Sequence, residues 1–142
     1  MRLFFSYQIK IIFFVLLLFS CGPRSPDDFR EQGAAIVRSL TQELKSIHSR
    51  DELLARSDAL ENLFSRLVDL MIAARQYQLK HPRETFSEID KKQLFMNDQL
   101  RLELTRIYRL DQGRELIEKL QEEPLHRLDA FEYSIKKRPI KP

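Results

Sequence analysis

From Ser25 onward, apolar residues recur every three or four positions, the spacing that gathers side chains on one face of an α-helix. In the first such stretch Phe29, Ile36, Leu40, Leu44 and Ile47 form the stripe. Ser25 is placed as its N-cap, Pro26 suits the first helical position, and Asp27 and Asp28 suit the positive helix end. Ala34 and Ala35 favour this helix and Gly33 weakens it. It should end near residues 47–49. The second stretch opens on Ser49-Arg50-Asp51-Glu52, a capping box with Ser and Glu three apart. Leu53, Leu60, Leu63, Leu67, Leu70, Ala74 and Tyr77 follow, interrupted by Arg56, while Phe64, Val68, Met71 and Ile72 widen the stripe. A stripe this broad faces more than one neighbour, which predicts a central helix. The same breadth leaves open a homodimer through this seam. His81-Pro82 stops the helix, because the residue before a proline is driven out of the helical region.

A third helix is expected from Thr85 or Ser87 toward Glu123, with Met96, Leu100, Leu104, Ile107, Ile117 and Leu120 among its apolar positions. Gly113 would mark a bend in it. Pro124 should open a short final helix with Leu125, Leu128, Phe131 and Ile135 inward. No stretch keeps the two-residue alternation of a strand. Short loops between long helices favour antiparallel neighbours. The predicted fold is therefore all-α, an up-down three-helix bundle with a short fourth C-terminal helix, over residues 27–137.

The first twenty residues break this pattern. Two bases, Arg2 and Lys10, precede an uninterrupted apolar run over residues 11–19, and Ser20 and Cys21 follow. A basic start, a short apolar run and a small residue at its end describe a secretory leader. Nine helical residues reach only about 14 Å, roughly half a hydrocarbon core. The alternative is an uncleaved anchor extended back through Leu3–Phe5 and Tyr7. It would place Lys10 inside the span, at about 2.5–3.5 kcal/mol on insertion scales.

Cys21 is the chain's one cysteine, so no disulfide can form within it. Leu18-Phe19-Ser20-Cys21 resembles the lipobox of bacterial lipoproteins, with Phe19 where a smaller residue is usual. The resemblance covers residues 1–21. It implies a signal peptide over residues 1–20, diacylglyceryl transfer to the Cys21 thiol, cleavage before it and further acylation of the freed amine. Two or more acyl chains hold a protein firmly to a bilayer. Residues 21–26 would be the lipidated cysteine and a tether. Gly22, where enteric bacteria use Asp for inner-membrane retention, implies the periplasmic face of the outer membrane.

Composition supports one helical domain. The chain has 142 residues, with three Gly, six Pro and no Trp. The 122 residues left after the first twenty can bury about 60–70% of their unfolded surface, so neither disulfide nor metal is needed. The formal charge of +3 belongs to the leader. Of 24 Lys and Arg, two precede Cys21 and no acid does, which leaves 22 bases against 21 acids. Such balance argues against a nucleic-acid partner. Residues 138–142 continue Lys136 and Lys137 as a basic tail, for which a frayed end is the ordinary reading and contact with anionic headgroups the alternative.

Catalytic and metal motifs are absent from the sequence. His48, His81 and His126 have no paired-ligand spacing. Three dispersed glycines cannot build a phosphate loop, and no GxSxG elbow occurs. Acids alternate with bases along helix faces, as Glu115 does with Lys119, and read as solvated surface. Glu123-Pro124-Leu125-His126 has one Glu-x-x-His spacing but straddles the expected break and has no second copy. No enzyme activity, cofactor or metal is expected. The segment Arg75-Gln76-Tyr77-Gln78-Leu79 and the pair Phe95-Met96 carry aromatic and apolar groups toward one bundle end. Core is the ordinary reading of such residues, and an interaction surface the alternative. The functional expectation is a lipid-anchored envelope protein presenting a helical bundle to an envelope protein partner. The alternative is a pilot or chaperone for a secretion complex, which small helical lipoproteins resemble in size, anchor and helicity.

Overall fold

A computed structural model describes residues 23, 25–84 and 90–137. Among them the chain is all-helical, with α1 (Pro26–Lys45), α2 (Arg50–Ala55), α3 (Ser57–Lys80), α4 (Lys91–Ile107) and α5 (Gly113–Lys136). The start of α1 follows from its sequence. Ser25 Oγ accepts from the Asp28 amide at 3.2 Å, and Asp28 Oδ2 accepts from the Ser25 amide at 3.1 Å. Pro26 has no amide, so two of the three unpaired amides at that end are thus satisfied reciprocally. At α2 the box is offset by one residue. Ser49 Oγ accepts from the Glu52 amide at 3.2 Å, but the Glu52 carboxylate takes the His48 amide at 2.6 Å.

The second expected helix is two. At Arg56 the backbone leaves helical geometry (φ −102°, ψ 2°), and Ser57 Oγ donates to Leu54 O at 2.7 Å. Arg56 is the position that interrupts the apolar stripe. The break lets α2 lie against α5 with Leu53 buried, and lets Arg56 reach Glu43 at 3.1 Å.

The third expected helix is also two, and its division corrects the expectation of a three-helix bundle with a short fourth. The chain turns over residues 108–112, not at Pro124. Leu110 donates to Ile107 O at 2.9 Å and Gly113 to Leu110 O at 3.0 Å. Gln112 is left-handed (φ 53°), a conformation L-residues seldom adopt. A Cβ on Gly113 would lie 2.0 Å from Ile107 O, so the return is tight enough to demand glycine there. Pro124 lies inside α5 and is fully buried. Its missing amide leaves one helical bond unmade. The ring is packed instead, and beyond it Arg127 reaches Asp69 at 2.6 Å and Arg75 approaches Glu132 at 3.9 Å, which hold the second half of α5 on α3. Because α5 runs through the proline without restarting, Leu125 is exposed, while Leu128, Phe131 and Ile135 are half-buried.

Packing places α1 and α3 side by side, α4 on α1 and α5 on α3, while α4 and α5 touch each other little. The breadth of the α3 stripe is thus used within the chain, on α1 and on α5. Leu40, Leu44, Ile47, Leu60, Ile107 and Ile117 are fully buried and form one cluster with Leu53. Arg106 ties the end of α4 to the end of α1. Its Nη2 donates to Leu44 O at 2.6 Å, its Nη1 to Ile47 O at 2.7 Å, and its Nε to Glu103 at 2.9 Å. No helix among the described residues is long and apolar enough to cross a membrane.

Candidate functional site

The two ends of the bundle differ. At one end meet the start of α1, the end of α3, the start of α4 and the end of α5. Phe29 of α1 packs on Tyr77 of α3, with ring centroids 5.4 Å apart. Arg30 and Gly33 border the same small hollow as Gln93 and Met96 of α4. Arg75 and Glu132 join α3 to α5. The opposite end holds α2, the 108–112 turn and the Arg106 contacts.

Burial is concentrated at that opposite end. Every residue of the cluster that is fully enclosed lies in the later half of α1 or the turn after it, in α2, early in α3, at the end of α4 or early in α5. The Phe29 end has Phe29 and Val68 buried outside the cluster. It also carries large apolar groups open to solvent: Phe95 is 63% exposed, Tyr133 60%, Leu94 52% and Leu79 50%. Toward the far end Leu102, at 57%, and Leu54, at 40%, are open as well, and Leu125 (48%) and Met71 (47%) are exposed between the ends. Scattered exposed apolar residues are ordinary on proteins. Leu79 and Tyr133 lie near the ends of α3 and α5, and Leu94 and Phe95 near the start of α4, where Phe95 borders a hollow with Arg38 and Thr41 of α1.

Charge is sorted in the same direction. Lys80, Arg83, Lys91, Lys92, Lys136 and Lys137 are exposed at the Phe29 end, and no carboxylate among the described residues pairs with any of them. The acids there are engaged in the fold itself. Asp28 caps α1, Asp90 caps α4 by accepting from Gln93 N at 2.7 Å, and Glu132 faces Arg75. Glu84 accepts from the Tyr77 hydroxyl and lies 3.5 Å from His81 Nδ1. That hydrogen bond is the main reason the Tyr77 phenol titrates above its usual range; desolvation and the charges of Glu84 and Asp28 add to it. His81 stacks on Tyr77 at 4.3 Å. Lys137 lies 4.6 Å above the Tyr133 ring, a cation–π contact. Glu31, one turn into α1, is exposed. At the far end Arg56 pairs with Glu43 and Arg106 with Glu103, while Lys45 and Arg109 are exposed without an ion pair among the described residues.

The residues singled out in the sequence fall as follows. Cys21 and the leader lie outside the described residues, as does the tail at 138–142. Pro23 borders a shallow groove between α1 and α3 with Ile36 and Leu70. His48 and His126 are exposed on opposite parts of the bundle, and Glu123 and His126, now on one continuous helix, gain no third partner. Among the described residues no three His, Cys, Asp or Glu side chains gather as a metal site. Glu115 and Lys119 do not pair; the intrahelical pairs that form are Asp27–Arg30, Asp98–Arg101, Glu103–Arg106 and Glu123–Arg127. In the last, Arg127 Nε is 3.1 Å from Glu123 Oε1 but poorly aligned for a hydrogen bond, so only the charge attraction counts. An open trough of about 720 Å³ runs along α1 and α3, crossed by the Glu43–Arg56 pair. Its hydroxyls, on Ser39 and Ser46, donate to their own helix carbonyls at 3.1 and 2.7 Å. Nothing in the trough couples a nucleophile to a base.

The two weak sequence candidates, Arg75-Gln76-Tyr77-Gln78-Leu79 and Phe95-Met96, are brought to the same end. Within them Leu79 and Phe95 are exposed, while Tyr77 and Met96 are half-buried. Leu94, Tyr133 and the Lys91-Lys92 pair were not legible as part of one surface, since only the directions of α4 and α5 unite them. No protein-family model, no curated protein and no solved structure matches this chain.

Proposed function

We propose that this chain is a lipid-anchored protein of the bacterial envelope, held through Cys21, whose helical bundle serves protein contact or a structural role. The observation that carries the reading is the order of residues 1–26. A basic start and an apolar run lead into Leu18-Phe19-Ser20-Cys21, and the cap of the first helix follows four residues later at Ser25. Those four residues reach at most about 14 Å. The 24-residue α3 is about 36 Å long. Acyl chains on Cys21 would therefore hold the bundle near its Phe29 end. Within this reading the long helices alternate in direction along the chain as an up-down bundle, and the periplasmic face of the outer membrane is the proposed address.

Cells fed an alkyne fatty acid test the anchor. Wild type should take up label and yield a shortened mature form, and Cys21→Ala should do neither. Unlabelled wild type would reject the reading. Mild crosslinking followed by purification tests the partner: a reproducible envelope protein joined to the bundle is expected.

A further inference from the structure

We infer that the Phe29 end of the bundle is a bilayer-docking surface, seated on anionic lipid headgroups with Phe95, Leu94 and Tyr133 entering the interface. This rests on the membrane-anchored reading for proximity to a bilayer, and on the bundle itself for the contact. Three independent features converge there. The chain enters the fold at this end, through Ser25, within about 14 Å of Cys21. The two exposed aromatic side chains, Phe95 and Tyr133, lie in this half of the bundle with Leu79 and Leu94, whereas the large side chains open toward the far end, Leu102 and Leu54, are aliphatic. Six exposed cations lie at this end without a carboxylate partner among the described residues, against the exposed Glu31, while Asp28, Asp90 and Glu132 are engaged in caps or an ion pair. Bases beside open apolar groups match the chemistry of an anionic headgroup layer. Such a layer accepts aromatic rings at the water boundary and basic side chains among the phosphates. Lys137 above the Tyr133 ring combines both elements in one contact. The sequence continues from Lys137 into Arg138 and Lys141, which adds to the basic character.

The absence of tryptophan from the sequence makes a clean test possible. Full-length protein carrying Phe95→Trp, Tyr133→Trp or Leu54→Trp is reconstituted into vesicles with brominated acyl chains, of phosphatidylcholine alone or with one quarter phosphatidylglycerol. All three sites are exposed, so the fold should survive each change. In anionic vesicles, quenching and a blue shift are expected at 95 and 133 but not at 54. Lys91→Gln with Lys92→Gln should weaken binding of the end to the bilayer about 25-fold, at roughly fivefold per cation, and high salt should act likewise. Emission at 95 and 133 that stays unquenched and water-like in anionic vesicles would overturn the proposal and leave the surface to an acidic protein. Equal quenching at 54 would overturn it too, since the bundle would then lie flat. Quenching reports contact of the bundle end with lipid and the fatty-acid label reports acylation of Cys21, so the two readings fail independently.

Discussion

Arg106 holds Ile47 from across the bundle: its Nη1 lies 2.7 Å from the Ile47 carbonyl, fastening the end of α4 to the turn that follows α1. The same guanidinium takes Leu44 O and is oriented by Glu103. Carbonyls at a helix C-terminus have no helical partner, and a charged donor is well suited to them. Arg106→Met keeps much of the aliphatic stem but abandons these acceptors. It should lower unfolding free energy by about 1–3 kcal/mol, read as a lower urea midpoint at unchanged slope. Arg106→Lys should recover part of the loss, since it can serve one carbonyl but not both.

Two glycines should respond in opposite ways to the same substitution. At Gly113 an added methyl meets the Ile107 carbonyl at 2.0 Å, a backbone atom that cannot move without opening the turn. Gly113→Ala should cost roughly 2–4 kcal/mol. At Gly33 the methyl meets Leu70 Cδ2 at 3.6 Å, an ordinary contact in mid-helix. Gly33→Ala should stabilise by up to about 1 kcal/mol. Thermal melts of the two variants, run side by side, check the contrast.

The unequal packing of the two ends has a direct mutational signature. Leu60 is fully enclosed, and Leu60→Ala should cost about 2–5 kcal/mol through lost burial and a residual cavity. Phe95 is larger but open to water, and Phe95→Ala should change stability by no more than about 0.5 kcal/mol. Denaturant titrations giving similar losses for both would contradict the asymmetry.

Tyr77 offers a pH readout. Its hydroxyl donates to Glu84, so ionising the phenol must break that bond and place a negative charge beside a carboxylate. The folded-state pKa therefore lies above the usual value of about 10. A group raised in this way contributes its stabilisation at all pH values below the unfolded pKa. That contribution is lost as pH climbs through the folded one. NMR titration of the Tyr77 ring should show its midpoint fall toward the ordinary value in Glu84→Gln. An unmoved midpoint would exclude the hydrogen bond as the cause.

Much of the architecture was legible because local signals and packing agree. Ser25-Pro26-Asp27-Asp28 announces α1, and Phe29, Ile36, Leu40, Leu44 and Ile47 are all buried as their spacing requires. The break at Arg56 shows in the sequence only as an interruption of the apolar stripe, while the continuity at Pro124 and the turn at 108–112 run against what a proline and a glutamine signal locally. Pro124 lacks an amide and reads as a stop, yet burial of its ring and the Arg127–Asp69 pair keep α5 continuous through it. The reversal at 108–112 depends on Gln112 adopting a left-handed backbone, which glutamine does not advertise, and on a close approach at Gly113 that only the folded chain reveals. The candidate surface was half legible. Leu79 and Phe95 stood out as apolar groups near a helix end, but their union with Tyr133 and Lys137 depends on α5 running to the same end, which a helix restarted at Pro124 does not fix.

The lopsided core also decides how the molecule would yield under load. A pull entering at Ser25 meets the reciprocal cap and the Phe29–Tyr77 contact first, and the dense layers around Leu40, Leu60 and Ile117 last. The bundle should therefore shear open by peeling from the tugged end in small steps, each of which can re-close while the distal layers act as a template. Strain would be absorbed as fraying before it could become collapse.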